Sequence, residues 1–182
     1  VRYCSSDAFL GNASAFGLQF RGQAIVQAVL ADLVVRRGLG RPRSARGGLA
    51  PVERDVLVLA GSSSGSYGAM AHLDYVPAML GAHGARHVHV VGLLDSALVR
   101  LEPPADDAAN DPQAAPVGRD DVPSRFALMD EYLHSARHGD ACLAAHAPPP
   151  GTHASATAGI HSMRWKCLLG RHRLPHLSTP YL

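Results

Sequence analysis

The sequence predicts an α/β fold in which helices flank a parallel sheet, and three observations lead to this prediction. Residues 55–60 form a short apolar run, a Gly/Ser-rich turn with helical spacing after it follows, and residues 87–94 form a second apolar run. Short continuous runs of β-branched residues and Leu are typical of parallel strands covered on both faces. Strand, helix and strand in this order predict one βαβ unit with a right-handed crossover.

Helical periodicity predicts the other regular elements. Between Phe20 and Val35, apolar residues recur at the three- and four-residue spacing of an amphipathic helix, and glycines at 38 and 40 end it. The same spacing predicts a helix over about residues 66–80 in the βαβ unit. A shorter helix is expected over residues 126–137.

The chain has the length of one compact domain. A single domain is therefore expected over residues 1–182. Three stretches have few bulky apolar residues. The first is rich in Gly and Arg, the second is rich in Pro, Asp and Ala, and the third contains three consecutive prolines. They predict loops or disordered inserts at about 40–50, 102–123 and 144–160.

Charge and hydropathy exclude two classes of partner. The formal net charge is +2 and the basic residues are scattered without interleaved aromatics, so we expect no nucleic-acid binding. No run of 18 or more apolar residues occurs, so we expect no membrane span. The three cysteines, at 4, 142 and 167, cannot form a CxxC motif; one disulfide plus one free thiol remains open.

The sequence Gly61-x-Ser63-x-Gly65 carries the chemistry. It lies between a predicted strand and a predicted helix, which is the context of a nucleophile elbow. Such a turn presents its serine at the start of the helix, and side chains at the two glycine positions are expected to clash with strand and helix. We therefore predict Ser63 as a nucleophile and the backbone N–H of Ser64 as an oxyanion donor. The alternative is a Gly/Ser loop that only joins two elements.

A dinucleotide-binding loop competes for the same residues, because glycine-rich turns at helix N-termini also bind phosphates. Gly65 and Gly68 fit two positions of that motif, and Asp95 ends the next strand as an acidic residue should. Position 63, however, needs a glycine and holds a serine. We therefore expect no cofactor.

Two further constellations are weaker. His83, His87 and His89 could bind a metal, since two of them alternate along a predicted strand, but no carboxylate accompanies them. Asp130 with His138, His146 or His161 satisfies the chain order of a hydrolase triad. Surface histidines are the expected interpretation of the first set. The second set lacks the strand ends that position such groups, so we expect no triad within this chain.

Several blocks of this sequence, in order, resemble the family of pectin acetylesterases and Notum carboxylesterases. The blocks of clearest resemblance are Tyr3-Cys4-Ser5-Ser6-Asp7, Phe20-Arg21-Gly22, Leu59 to Gly65, Leu73-Asp74-Tyr75-Val76, Gly92 to Ser96, and Trp165-Lys166-Cys167. The resemblance is good over residues 1–100 and thin over residues 101–164. Ser64 and the segment 97–99 depart from the family pattern, which leaves the substrate open.

The resemblance implies an α/β-hydrolase-like parallel sheet, incomplete at both ends, and hydrolysis of an acetyl or acyl ester through a Ser63 acyl-enzyme. Substrates would be acylated polysaccharides or acylated proteins, and the protein would be secreted or in the cell wall. In the family the triad acid and histidine follow a strand that would begin near Pro180. The chain alone is therefore expected to be inactive, and a non-catalytic remnant or binding module is the alternative.

The resemblance also assigns structural roles. Asp74 and Asp95 match family positions outside the triad, so we expect them to be partners at helix and strand ends. Cys4 and Cys167 match cysteines that tend to form disulfides, with partners left open.

Overall fold

The structure, a computed structural model, describes residues 7–41, 55–97, 121–134, 137–147 and 163–182. Its strands and helices, in chain order, are β1 (Ala13–Ala15), β2 (Leu18–Phe20), α1 (Gly22–Val35), β3 (Val56–Ser62), α2 (Ser64–His72), α3 (Val76–Ala82), β4 (His89–Asp95), α4 (Asp121–Leu133), α5 (Asp140–Ala145) and α6 (Gly170–Arg173). Short 3₁₀ segments cover Leu73–Tyr75, Met163–Leu168 and Leu174–His176. No helix in these ranges is long and apolar enough to cross a membrane.

A small parallel sheet forms the centre of the fold. β3 pairs with β4 in parallel, from Val56 opposite His89 to Ser62 opposite Asp95. On the other edge of β4, Tyr181 forms a parallel bridge with Gly92, and the Leu182 amide donates to the Gly92 carbonyl at 3.0 Å. The mixed α/β class and the extended segment near Pro180 are therefore confirmed.

Helices cover one face of this sheet. The main apolar core joins α1, α3 and the sheet, and it contains Leu30, Leu73, Val76, Leu80 and Val90. The opposite face is open within the described residues, since Val56 and Val58 keep 57% and 55% of their surface exposed. The expectation of a strand covered on both faces is wrong here: the alternate residues Val56 and Val58 have no described layer over them.

The predicted helix over 66–80 is present but divided. α2 ends at His72, a 3₁₀ segment covers Leu73–Tyr75, and α3 follows. The cause is Pro77, which has no N–H to donate to the carbonyl of Leu73 four residues earlier. The Val76 amide instead donates to the Leu73 carbonyl, which makes a 3₁₀ hydrogen bond.

A buried carboxylate fixes the start of α1. Asp7 is 1% exposed, and its oxygens accept the amides of Phe9, Gly11 and Gly22 at 2.9–3.1 Å. Gly22 is the first residue of α1, so its N–H group has no acceptor inside the helix. The Asp7 carboxylate accepts a hydrogen bond from this group. Asp7 thus ties the start of α1 to the segment before β1.

Several elements differ from the sequence predictions. The hairpin of β1 and β2 was not predicted; its turn at Phe16 and Gly17 has positive φ at both residues, 54° and 73°. α4 begins at Asp121, inside the end of the expected insert at 102–123, and ends at Leu133 rather than 137. α5 likewise extends to Ala145, into the expected insert at 144–160. Of the other insert positions, the structure describes only 40, 41, 146 and 147.

A disulfide joins two elements of the C-terminal part. Cys142 in α5 and Cys167 in the 3₁₀ segment Met163–Leu168 are bonded, and both are buried. This answers which pair forms the one disulfide that the sequence left open. Cys4 lies outside the described residues.

Candidate active site

Ser63 occupies a sharp turn between β3 and α2. Its backbone has φ 53° and ψ −120°, a conformation that residues with a side chain rarely adopt. The turn is held by two backbone hydrogen bonds: the Ser63 amide donates to the Asp95 carbonyl at 3.1 Å, and the Ser66 amide donates to the Ser63 carbonyl at 2.9 Å. The turn thus exposes the Ser63 hydroxyl at the carboxyl end of the sheet, above the N-terminus of α2.

The two glycines of the motif have different reasons. A Cβ atom at Gly61 would lie 2.1 Å from the Gly65 carbonyl oxygen, so strand and helix can approach only because position 61 has no side chain. A Cβ at Gly65 would meet nothing within 4 Å. The expectation of a clash is right for Gly61 and wrong for Gly65. A side chain at position 61 would collide with the backbone of Gly65, whereas a side chain at position 65 would point into open space.

Asp95, at the end of β4, accepts hydrogen bonds from most of the serines around the turn. Its carboxylate accepts hydrogen bonds from the Ser62 hydroxyl at 2.7 Å and from the Ser96 hydroxyl at 3.1 Å. Its carbonyl accepts hydrogen bonds from the Ser63 amide and from the buried Ser66 hydroxyl. The Ser66 hydroxyl also lies 2.7 Å from the Gly61 carbonyl. The Ser62 and Ser96 hydroxyls lower the pKa of Asp95 below its ordinary value. Asp95 therefore has the structural role expected for it.

A cavity of about 450 Å³ opens beside Ser63. It lies between β3, α2 and α1, and its walls are mainly apolar. Its lining includes Phe9, Val26, Leu59, Ser63, Ala69 and His72. The cavity is therefore large enough for a small acyl group next to the serine, with few polar groups to satisfy.

His72, which the sequence interpretation missed, lines the far end of this cavity. It is 1% exposed, and its Nε2 lies 2.7 Å from the Phe9 carbonyl, so Nε2 carries the proton. Burial lowers the pKa of His72 to about 4, which keeps the ring neutral. His72 ends α2 nine residues after Ser63, about 14 Å along the helix axis, so its imidazole lies beyond hydrogen-bond reach of the Ser63 hydroxyl.

Asp130 and His138, two members of the triad order that the sequence analysis discounted, do lie in contact. His138 Nε2 lies 2.6 Å from Asp130 Oδ1, and the two side chains are 1% and 9% exposed. The neighbouring Gly139 amide, however, donates to the Tyr75 hydroxyl at 3.0 Å. Tyr75 is twelve residues beyond Ser63 along a helical path of about 18 Å, so this pair lies near the end of the path farthest from Ser63.

The remaining candidates lie elsewhere. Asp74 accepts the amides of Ser178 and Thr179 at 3.0 and 2.9 Å, and so anchors the segment that pairs with β4. His83 and His87 are exposed and precede β4, so the expected alternation of His87 and His89 along one strand is wrong, because β4 begins only at His89. His161 and residues 98 and 99 lie outside the described residues.

Two comparisons with known proteins identify relatives of this chain. A family model described as pectinacetylesterase matches residues 1–99, which include the Ser63 turn. The Xenopus laevis protein palmitoleoyl-protein carboxylesterase notum2 is 38% identical over 98 residues. That similarity covers 53% of this chain and 18% of the relative's own length. The chain belongs to the pectinacetylesterase family.

Proposed function

We propose that this chain is part of an α/β-hydrolase domain in which Ser63 is the nucleophile of a carboxylic ester hydrolase. The observation that carries the proposal is the backbone of Ser63, with φ 53° and ψ −120°, between a parallel strand and a helix. A non-glycine residue in this region costs on the order of 1–3 kcal/mol, and such conformations concentrate at functional sites. The family match to residues 1–99 supports the same role.

The chemistry follows from this placement. The Ser63 oxygen attacks the ester carbonyl carbon and loses its proton to a base, and the carbonyl oxygen becomes an oxyanion. The Ser64 amide belongs to the first turn of α2, where N–H groups have no acceptor within the helix, so it is free to stabilise that oxyanion. The C–O bond to the leaving group then breaks, that oxygen receives the proton from the base and departs as the alcohol, and an acyl-Ser63 ester remains. Water hydrolyses this ester to the free acid and the Ser63 hydroxyl.

The proposed substrates are acetyl or longer acyl esters of a polysaccharide or a protein. The apolar cavity beside Ser63, about 450 Å³, supports an acyl group as the part of the substrate that is bound there. The name of the Xenopus laevis relative describes an acylated protein as its substrate. The family name describes an acetylated polysaccharide.

Secretion or a cell-wall location is the proposed setting. The disulfide between Cys142 and Cys167 supports it, because disulfides form and persist in oxidising compartments. Asn12, in the glycosylation sequence Asn12-Ala13-Ser14, is exposed and thus sterically open to such modification.

A non-catalytic binding module is the second candidate, and one observation favours it. No side-chain hydrogen bond between described residues involves the Ser63 hydroxyl, and neither His72 nor His138 lies within its reach. A serine without a base is a weak nucleophile at neutral pH. The cavity and the turn would then serve to bind an ester without cleaving it.

Ester hydrolysis by the 182-residue chain separates the two candidates. We expect p-nitrophenyl butyrate to acylate Ser63 slowly, with turnover near background, because the described residues supply an oxyanion donor but no base. Mass spectrometry of tryptic peptides locates the acyl group. The acyl group should be absent in Ser63→Ala and present in the matched control Ser62→Ala. Saturable ester binding with no acylation of Ser63 would instead favour the binding module.

A further inference from the structure

Basic side chains gather in the C-terminal part, outside the residues matched by the family. They come from the end of α5, the 3₁₀ segment Met163–Leu168, α6, and the 3₁₀ segment Leu174–His176. We call them the basic cluster; its members are His146, Lys166, Arg171, His172 and His176.

Direct contacts join the centre of the cluster. The rings of His146 and His172 meet edge to face, with centroids 4.8 Å apart. The Arg171 Nε–H group donates to His172 Nε2 at 3.1 Å, so that ring nitrogen is an acceptor and His172 is neutral. The Cys142–Cys167 disulfide fixes this arrangement, because it ties α5, which ends before His146, to the segment that holds Lys166.

No carboxylate in the described residues pairs with the cluster. The acidic groups on neighbouring elements are engaged with other arginines: Asp130 with Arg164 at 3.7 Å, and Asp74 with Arg173 at 3.3 Å. Asp140 in α5 also acts on Arg173. Lys166 and Arg171 thus contribute two permanent positive charges that no described side chain neutralises.

The histidines respond to this excess of charge. Burial, followed by Arg171, His146 and Lys166, lowers the pKa of His172 to about 4. Burial, Lys166 and His176 also lower the pKa of His146. A bound anion would offset the neighbouring cations and so raise both pKa values, with uptake of protons. The imidazoles would then donate N–H hydrogen bonds to the anion.

We propose that the basic cluster binds a tetrahedral oxyanion, phosphate or sulfate, free or carried as a monoester. Arg171 and Lys166 supply the permanent charge, and Arg171 offers its guanidinium in the fork that matches two oxyanion oxygens. His146 and His172 add donors as they take up protons. Binding therefore strengthens as the pH falls, by up to about tenfold per pH unit for each proton taken up.

Isothermal titration calorimetry of the full chain with sodium sulfate tests this proposal, with sodium chloride at equal ionic strength as the reference. We expect saturable 1:1 binding with a Kd of about 1 mM at pH 7.5 and at least about fivefold tighter binding at pH 5.5. The heat should depend on the ionisation enthalpy of the buffer, since protons are taken up. Inorganic phosphate and phenyl phosphate, titrated in parallel, distinguish a free ion from a monoester.

Variants identify the site. Lys166→Gln with Arg171→Gln should abolish saturable binding, and His146→Gln with His172→Gln should remove its pH dependence. The matched controls are Arg36→Gln and His87→Gln, which remove an exposed cation and an exposed histidine elsewhere. Absence of saturable binding at both pH values, or an equal loss in the controls, overturns the proposal. The wild-type buffer dependence needs no variant, so a variant that misfolds leaves the test intact. Ester chemistry at Ser63 enters none of these measurements.

Discussion

The region around Ser63, residues 55–97, and the described residues of the C-terminal region, 121–134, 137–147 and 163–182, are organised by different forces. In the first, one strand, one turn and one helix follow in sequence, and backbone hydrogen bonds and packing against α1 hold them. In the second, short helical pieces are joined by the Cys142–Cys167 disulfide and by the buried contact of Asp130 with His138, and the buried Arg173 ties them to Asp74 of the first region. Local signals therefore specify the first region, and specific long-range bonds specify the second.

The largest expected effect concerns the ionic contact that joins the two regions. Arg173 is fully buried and pairs with Asp74, so Asp74→Ala leaves a buried charge without its partner. We expect a loss of about 3–5 kcal/mol in the free energy of unfolding, measured by urea denaturation. Asp32→Ala is the control, because its pairs with Arg36 and Arg37 are exposed and should contribute under about 1 kcal/mol. Equal losses in the two variants would contradict this ranking.

The disulfide tests whether the C-terminal region depends on its own bond. The double variant Cys142→Ala, Cys167→Ala opens a loop with a sequence separation of 25 residues, which should cost about 3 kcal/mol. Limited proteolysis should then cut within residues 121–182 before it cuts within 55–97. Cleavage that begins in the Ser63 region instead would show that the two regions are not independent.

The two glycines of the turn sharpen the comparison within the first region. Gly61→Ala forces a Cβ against the Gly65 backbone, and we expect a loss of about 3 kcal/mol in the free energy of unfolding. Gly65→Ala is the matched control: its Cβ has free space, and removing a glycine from a helix stabilises by about 0.5–1 kcal/mol. A destabilised Gly65→Ala or a neutral Gly61→Ala would refute this geometry of the turn.

How much could be predicted follows the same division. β3, β4, the turn at Ser63 and the helical stretch after it carry local patterns and were predicted. The extended segment near Pro180 was expected from the family resemblance, and the hairpin of β1 and β2 was not predicted. His72 was missed because nothing in the sequence marks it as buried beside the cavity. The Asp130–His138 pair was discounted because no strand end precedes either residue. The two side chains meet through burial, which the local sequence does not reveal. The basic cluster depends on a disulfide whose pairing three cysteines leave open.

The last stability effect is a pH dependence that comes from His72. Its folded pKa of about 4 lies below the ordinary value of 6.5, so between these values the unfolded state binds more protons. Stability is therefore full above about pH 6.5 and falls as the pH is lowered towards 4, by at most about 3 kcal/mol. Urea denaturation from pH 7 to 4 should show this slope, reduced in His72→Gln. His87→Gln, which removes an exposed histidine that precedes β4, serves as the control and should leave the slope unchanged. An unchanged slope in His72→Gln would contradict the assignment.

The central claim is that the turn makes Ser63 more reactive than the serines on either side. A fluorophosphonate probe tests it most directly, because the probe phosphonylates an activated serine and the modified residue can be identified by mass spectrometry. The account predicts labelling confined to Ser63, abolished by Ser63→Ala and retained in Ser62→Ala and Ser64→Ala, although slowed in a chain without a nearby base. Labelling spread evenly over Ser62, Ser63 and Ser64, or unchanged in Ser63→Ala, would contradict it.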